Sequence, residues 1–180
     1  MFSNGEFKGL DKIVPTSEYI GTGKSYQATT TLVQQLQPVS YRVNAILKHI
    51  DPDHHTEAIK VRERLCHSYP GYAALATIDP LIYEGREIIW NRMSGLHTDT
   101  QDPPLGWAIL TGFGDFKGGA AWIKPLNLVI RYEPGDVLAI RGRVLAHEVR
   151  GDFIGQRITI PHFTHSSVWR AVGNESVFVK

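Results

Sequence analysis

The chain has 180 residues, 42% of them apolar and 21% charged, with a formal net charge of +1. Those values fit one globular domain with its own core, and they exclude wholesale disorder and a histone-like basic arm. The single cysteine, Cys66, excludes an internal disulfide and any cysteine-built zinc or iron–sulfur site.

In chain order, the first 25 residues read as an irregular lead-in with one short strand near Ile13 and Val14. The polar, mixed-charge start does not read as a signal peptide. No apolar run approaches the ~18 residues a membrane helix needs, so no membrane partner is expected. Leu32, Leu36, Val43, Ile46, Leu47 and Ile50 recur with a helical period, which predicts helix over 26–50 with a break near Pro38. Asp51-Pro52-Asp53 reads as a helix boundary and a new cap. A second helix is predicted over 56–68, with His54-His55 in the loop before it and Lys60, Arg62 and Arg64 on a solvated face.

Beyond Pro80 the pattern changes to short segments rich in Val, Ile, Trp and Phe. Seven strands are predicted: 86–92, 107–112, 120–123, 128–132, 136–141, 144–149 and 156–164. Pro134-Gly135 marks a turn between two of them. Seven strands at this spacing imply a sandwich or barrel, covered by the N-terminal helices. The four tryptophans, 90, 107, 122 and 169, read as packing residues.

The chemistry enters at His97-Thr98-Asp99. On an extended segment residues i and i+2 share a face, so both side chains reach one ion. Such a pair is a weak signal alone, and a second one occurs at His49-Ile50-Asp51. That copy lies at a predicted helix end, where i and i+2 diverge, and reads as helix termination. The pair at 97–99 has more behind it. His147 follows 50 residues later in a predicted strand and completes two histidines and a carboxylate, a set that suits non-haem Fe(II). Arg157 lies ten residues further, where a buried guanidinium needs a carboxylate. A dicarboxylate cosubstrate would supply one, with Thr159 on the same face as a hydroxyl donor.

Together these motifs resemble the Fe(II)- and 2-oxoglutarate-dependent dioxygenases. The signature is His97-Thr98-Asp99, Pro134-Gly135-Asp136, His147 and Arg157, spread over about residues 86–168. Further residues make the sequence most similar to the TET/JBP-like nucleobase oxygenases, including their compact fungal members. They are Asn91-Arg92, Asp102, Gly106-Trp107, Gly112-Phe113-Gly114-Asp115, Gly118-Gly119 and Phe163-Thr164-His165.

The resemblance implies an α+β chain: a single dioxygenase domain over 1–180, with helices over 1–80 supporting a double-stranded β-helix (jelly-roll) core over 81–170. It implies Fe(II) on His97, Asp99 and His147, and 2-oxoglutarate on Arg157 and Thr159, with Asn91 and Arg92 beside it. Dioxygen is the second cosubstrate and ascorbate a reductant. In that branch a carboxylate three residues past the H-x-D pair, here Asp102, faces the base, as does an aromatic-x-His, here Phe163 and His165. Arg157, Thr159, Pro161, Phe163 and His165 share one strand parity, which would carry the last two towards the mouth of the barrel.

The implied reaction couples oxidation of a methyl C–H to decarboxylation of 2-oxoglutarate. The favoured substrate is 5-methylcytosine in DNA, flipped into the pocket. Alternatives are the same chemistry on a small molecule, a protein side chain or an N-methylated base, or a non-catalytic β-sandwich binding module. The expected location is intracellular, and nuclear if DNA is the substrate.

Overall fold

The computed structural model describes residues 2–3, 14–16 and 23–178. Strand β1 (Phe2–Ser3) pairs antiparallel with β2 (Val14–Pro15), so the early strand is present. Most of the predicted lead-in lies outside the described residues. The rest forms two compact units: the described residues up to Gly85 with those from His165 on, and Arg86–Thr164.

The helical unit follows its sequence signals. Helix α1 (Lys24–Gln35) gives way at Leu36 to α2 (Gln37–Ile50), with Pro38 in the first turn of α2, where a missing amide costs nothing. Helix α3 (Pro52–Ser68) starts four residues earlier than predicted. The Asp51 carboxylate accepts the His54 amide at 3.0 Å, so the cap lies at Asp51 and Pro52 opens the helix. His54 is therefore helical, not in a loop. It is buried, with its ring centroid 5.4 Å from that of Trp169.

Arg62 also departs from expectation. It is half-buried and donates to the carbonyls of Ala76, Asp79 and Leu81. It thereby satisfies carbonyls at and beyond the end of α4 (Pro70–Ala76), a helix the sequence pattern does not announce. Lys60 does stay exposed, paired with Glu57 at 2.6 Å. Val43, Leu47, Ala58, Val61 and Leu65 form the buried face, and α5 (Ser166–Ala171) adds Val168 and Trp169. No helix among the described residues is long and apolar enough to cross a membrane.

The second unit is an antiparallel sheet built on two long strands, β5 (Ala108–Ile123) and β8 (His147–Phe163). They pair from Ile109 opposite His162 to Ile123 opposite His147. On its other edge β5 takes β6 (Leu128–Ile130) at one end and β7 (Val137–Ile140) at the other. The outer edge of β8 takes β4 (Ile89–Trp90), and β3 (Gly85–Arg86) also joins this sheet.

The seven predicted strands are thus regrouped. Segments 107–112 and 120–123 fuse into one strand, as do 144–149 and 156–164, while 86–92 splits in two. The glycines read as breaks are close-approach points instead. A Cβ on Gly114 would lie 3.0 Å from the Gln156 carbonyl carbon, and one on Gly155 would lie 3.0 Å from that of Asp115. Both glycines have positive φ, so no other residue would let the strands cross there at this distance. The register shifts once, between Gly118 and Ala120, at a bulge.

Pro134-Gly135 makes the expected turn: Gly135 has φ +89° and the Asp136 amide donates to the Glu133 carbonyl at 3.0 Å. Ala108, Ile123 and Ile140 form a buried cluster, lined by Leu110, Ile130, Leu145 and Phe163. Of the tryptophans, Trp169 is fully buried, whereas Trp90 is 59% exposed and not a packing residue. Trp107 and Trp122 lie beneath the guanidinium groups of Arg141 and Arg150.

Candidate active site

His97 lies directly opposite the first residue of β8. Its amide donates to the His147 carbonyl at 3.0 Å, and the His147 amide returns the bond at 2.9 Å. Directly opposed residues in an antiparallel pair project to the same side. The two rings accordingly sit 4.3 Å apart, centroid to centroid. Each Nδ1 meets a backbone carbonyl two residues back: Gly95 at 2.7 Å for His97, and Leu145 at 2.8 Å for His147. A neutral imidazole carries one N–H. Placing it on Nδ1 leaves both Nε2 lone pairs available as ligands, the usual outer-shell arrangement of a metal-binding histidine.

Asp99 joins them from the same segment. Its amide donates to the Gly142 carbonyl at 3.0 Å, and its Oδ1 lies 3.6 Å from His97 Nε2. One ligand atom from each of His97, Asp99 and His147 lies within 4.8 Å of the others. Two imidazole nitrogens and one carboxylate, on one face and with their tautomers preset, fit a divalent iron site with open positions. The pair at His49 and Asp51 does not converge in this way: His49 lies in the last turn of α2, and the Asp51 carboxylate caps the next helix.

Gly142 leaves the space that Asp99 occupies. A Cβ there would overlap Asp99 Oδ2, sit 2.8 Å from its Cγ and 3.3 Å from His147 Cε1. The φ of Gly142 is not positive, so alanine fits its backbone but not its surroundings. Gly142→Ala should therefore fold normally and bind Fe(II) about 10–100-fold more weakly, as other changes behind a ligand do. Metal titration alongside a melting curve checks this. Unchanged iron affinity would mean that the carboxylate does not have to sit where it is.

Arg157 lies further along β8 and is 4% exposed. Its guanidinium carbon is 5.6 Å from the ring centroids of Phe116 and Tyr132 and 5.8 Å from that of Phe153. Burial pushes its pKa below the usual guanidinium range. Its Nε has no hydrogen-bond partner, and Thr159 Oγ1 and Tyr132 Oη, also buried, likewise lack one. A buried cation enclosed by aromatic rings, with donors left over, is the environment a ligand carboxylate completes.

Asn91 acts on the backbone of this arginine. Strand β4 pairs Ile89 with Thr159 and Trp90 with Ile158, so Asn91 would face Arg157 next. At φ +46° its main chain turns away, yet its amide still donates to the Arg157 carbonyl at 2.8 Å. The missing main-chain acceptor is replaced by its side chain, whose Oδ1 accepts the Arg157 amide at 2.8 Å. Asparagine suits both tasks, since it tolerates left-handed φ and carries a carbonyl. Arg92, next in the chain, is exposed and 3.3 Å from Glu87.

The residues expected near a substrate belong to different elements of the chain. Asp102 is buried, and its amide donates to the Asp99 carbonyl at 3.0 Å, closing a turn after Asp99. Phe163 ends β8 half-buried against the apolar cluster. The strand stops there, so the parity argument does not extend to His165. That residue sits at the N-terminus of α5 and belongs to the helical unit.

A family model described as the oxygenase domain of the 2OGFeDO superfamily, Tet_JBP, matches residues 12–166. The chain belongs to the Tet_JBP family. No curated protein sequence matches it. The solved structure of NgTET1 in complex with 5mC DNA is similar, with a TM-score of 0.64 and 17% identity over 89% of this chain and 58% of that one. At that identity the likeness concerns the fold, here mixed helices and antiparallel sheet. The chain spans less than two thirds of the length of that protein.

Two residues of this Tet_JBP domain were not singled out from sequence. Gly142 is one glycine among 17, and nothing local marks it. Tyr132 precedes the turn at 133–136 and resembles any aromatic strand residue until the fold turns it towards Arg157.

Proposed function

We propose that this Tet_JBP domain is an Fe(II)- and 2-oxoglutarate-dependent dioxygenase that oxidises a methyl C–H on a methylated nucleobase, 5-methylcytosine in DNA being favoured. The observation that carries the reading is the pairing of functions along β8: a histidine of the three-ligand cluster and a buried arginine without a carboxylate partner among the described residues. In this reading the sheet is a double-stranded β-helix, and the two units together serve one dioxygenase domain.

His97, Asp99 and His147 would hold the iron through Nε2, a carboxylate oxygen and Nε2. Arg157 and Thr159 would hold the distal carboxylate of 2-oxoglutarate, with Asn91 fixing the strand position of Arg157. When bound, iron and 2-oxoglutarate supply dioxygen activation coupled to oxidative decarboxylation of the cosubstrate to succinate and CO2. The remaining work of the chain is positioning. The rings of Phe116, Tyr132 and Phe153 keep water from the guanidinium, which strengthens its contact with a carboxylate. Arg92, on the surface, would serve the cosubstrate only at longer range.

Asp102 would set the choice of base. A carboxylate is acceptor-only at neutral pH. Cytosine offers an N4 amino donor, where thymine offers an O4 acceptor. Phe163 would stack on the flipped base and His165 would bond its Watson–Crick edge. If DNA is the substrate, the enzyme works in the nucleus.

The test is mass spectrometry of matched oligonucleotides carrying 5-methylcytosine, thymine or N6-methyladenine after incubation with Fe(II), ascorbate, 2-oxoglutarate and air. Oxidised 5-methylcytosine with little thymine product is expected, and Asp102→Ala should lose this preference before it loses cosubstrate binding. Equal oxidation of thymine would overturn the base assignment. Succinate released only with a small molecule, a protein side chain or an N-methylated base would keep the chemistry and change the substrate. The net charge of +1 is compatible with that second outcome.

A further inference from the structure

Tyr132 is 3% exposed, and its Oη has no hydrogen-bond partner. Such a hydroxyl destabilises a fold unless something completes it. Its location indicates what that is. The Tyr132 ring lies over Gly112: a Cβ added there would be 3.3 Å from Tyr132 Cζ and 3.4 Å from Oη. Gly112 is the direct cross-strand partner of Thr159, and Gly114 is that of Arg157. The Arg157 guanidinium carbon is 5.6 Å from the Tyr132 ring centroid. Thr159 and Arg157 belong to rungs of one ladder with a single rung between them, and Tyr132 Oη, Thr159 Oγ1 and Arg157 Nε are all buried and all without a partner.

We propose that the Tyr132 hydroxyl is a further donor to the distal carboxylate of 2-oxoglutarate, completing with Arg157 and Thr159 a site that selects 2-oxo acids bearing a second carboxylate. The inference rests on the cosubstrate assignment above. A carboxylate has two oxygens and about four acceptor positions, more than a guanidinium edge and one threonine hydroxyl fill. Burial pushes the Tyr132 phenol upward in pKa, so it keeps its proton at neutral pH and remains a donor. The absence of a side chain at Gly112 leaves room for the tyrosine ring, since a Cβ there would also come 3.1 Å from the Glu133 carbonyl oxygen.

The variant is Tyr132→Phe, which removes one oxygen and leaves the ring. The full chain, loaded with Fe(II) under argon so that no turnover occurs, is titrated calorimetrically with 2-oxoglutarate and with 2-oxopentanoate, a five-carbon 2-oxo acid lacking the second carboxylate. Tyr132→Phe should bind 2-oxoglutarate about 10–100-fold more weakly, the size of a hydrogen bond to a charged group. Its affinity for 2-oxopentanoate should match the wild type. Without ligand its melting temperature should be equal or higher, because an unpaired buried hydroxyl is gone.

Wild-type affinity for 2-oxoglutarate in Tyr132→Phe, with Arg157→Met still losing it, would overturn the tyrosine assignment alone. A fall in melting temperature with equal losses for both acids would make Tyr132 a packing residue and overturn it too. Failure of the iron-loaded wild type to bind 2-oxoglutarate would remove the cosubstrate reading, and this inference with it.

Discussion

Asp99→Ala should lower turnover by about 10³-fold or more while leaving the fold intact. The carboxylate is the only anion among the three ligands, and a metal-held reaction centre accounts for several kcal/mol of barrier. Two neutral imidazoles, 4.3 Å apart between ring centroids, would retain some Fe(II) but bind it more weakly. Succinate formation and iron content, measured on the same preparation, separate lost binding from lost chemistry. His49→Ala is the control: His49 is exposed in the last turn of α2, and activity should stay near wild type. Turnover at the wild-type level in Asp99→Ala would overturn the ligand assignment.

Arg157→Met should raise the 2-oxoglutarate requirement by about a hundredfold to a few thousandfold, the equivalent of ~3–5 kcal/mol for a buried carboxylate left without its charged partner. Iron affinity should barely change. Methionine fills similar space between Phe116, Tyr132 and Phe153 and removes a cation that burial disfavours. The ligand-free protein should therefore melt no lower than wild type. Titration of 2-oxoglutarate against succinate release reads the effect. An unchanged half-saturation point would move the anchor to another cation.

Much of this was legible in the sequence because it depends on local rules. Asp51-Pro52 announced a helix start, and the side chain of Asp51 caps it. Pro134-Gly135 announced a turn, and Gly135 supplies the positive φ. His97, Asp99 and His147 stood out as residue types at suitable spacing, and the cross-strand bonds between His97 and His147 place them together. What stayed hidden depends on partners remote in the chain. A glycine at a strand crossing looks like a glycine in a loop, so Gly114 and Gly155 divided β5 and β8 on paper. Arg62 looked like any charged helix residue, because the carbonyls it satisfies lie 14 to 19 positions away. The role of Gly142 is only the space it leaves, which no residue pattern encodes. His165 was placed by a parity that ended when the strand did.

The interlocked glycines of the long β5–β8 ladder have a consequence for assembly. His147 and Arg157 stand on one strand, and each has its own clasp, His97 at one end and Asn91 towards the other. If β8 slid by one residue against both β5 and the segment that carries Asn91 and His97, both clasps would open together and the glycines at 114 and 155 would no longer face the carbonyls they make room for. His147 of the candidate metal cluster and the buried Arg157 would then be displaced as a pair, not one after the other. The ladder works as a ruler with two fixed marks. Amide hydrogens along it should exchange as one cooperative block, in which the two halves of the site share a single opening event.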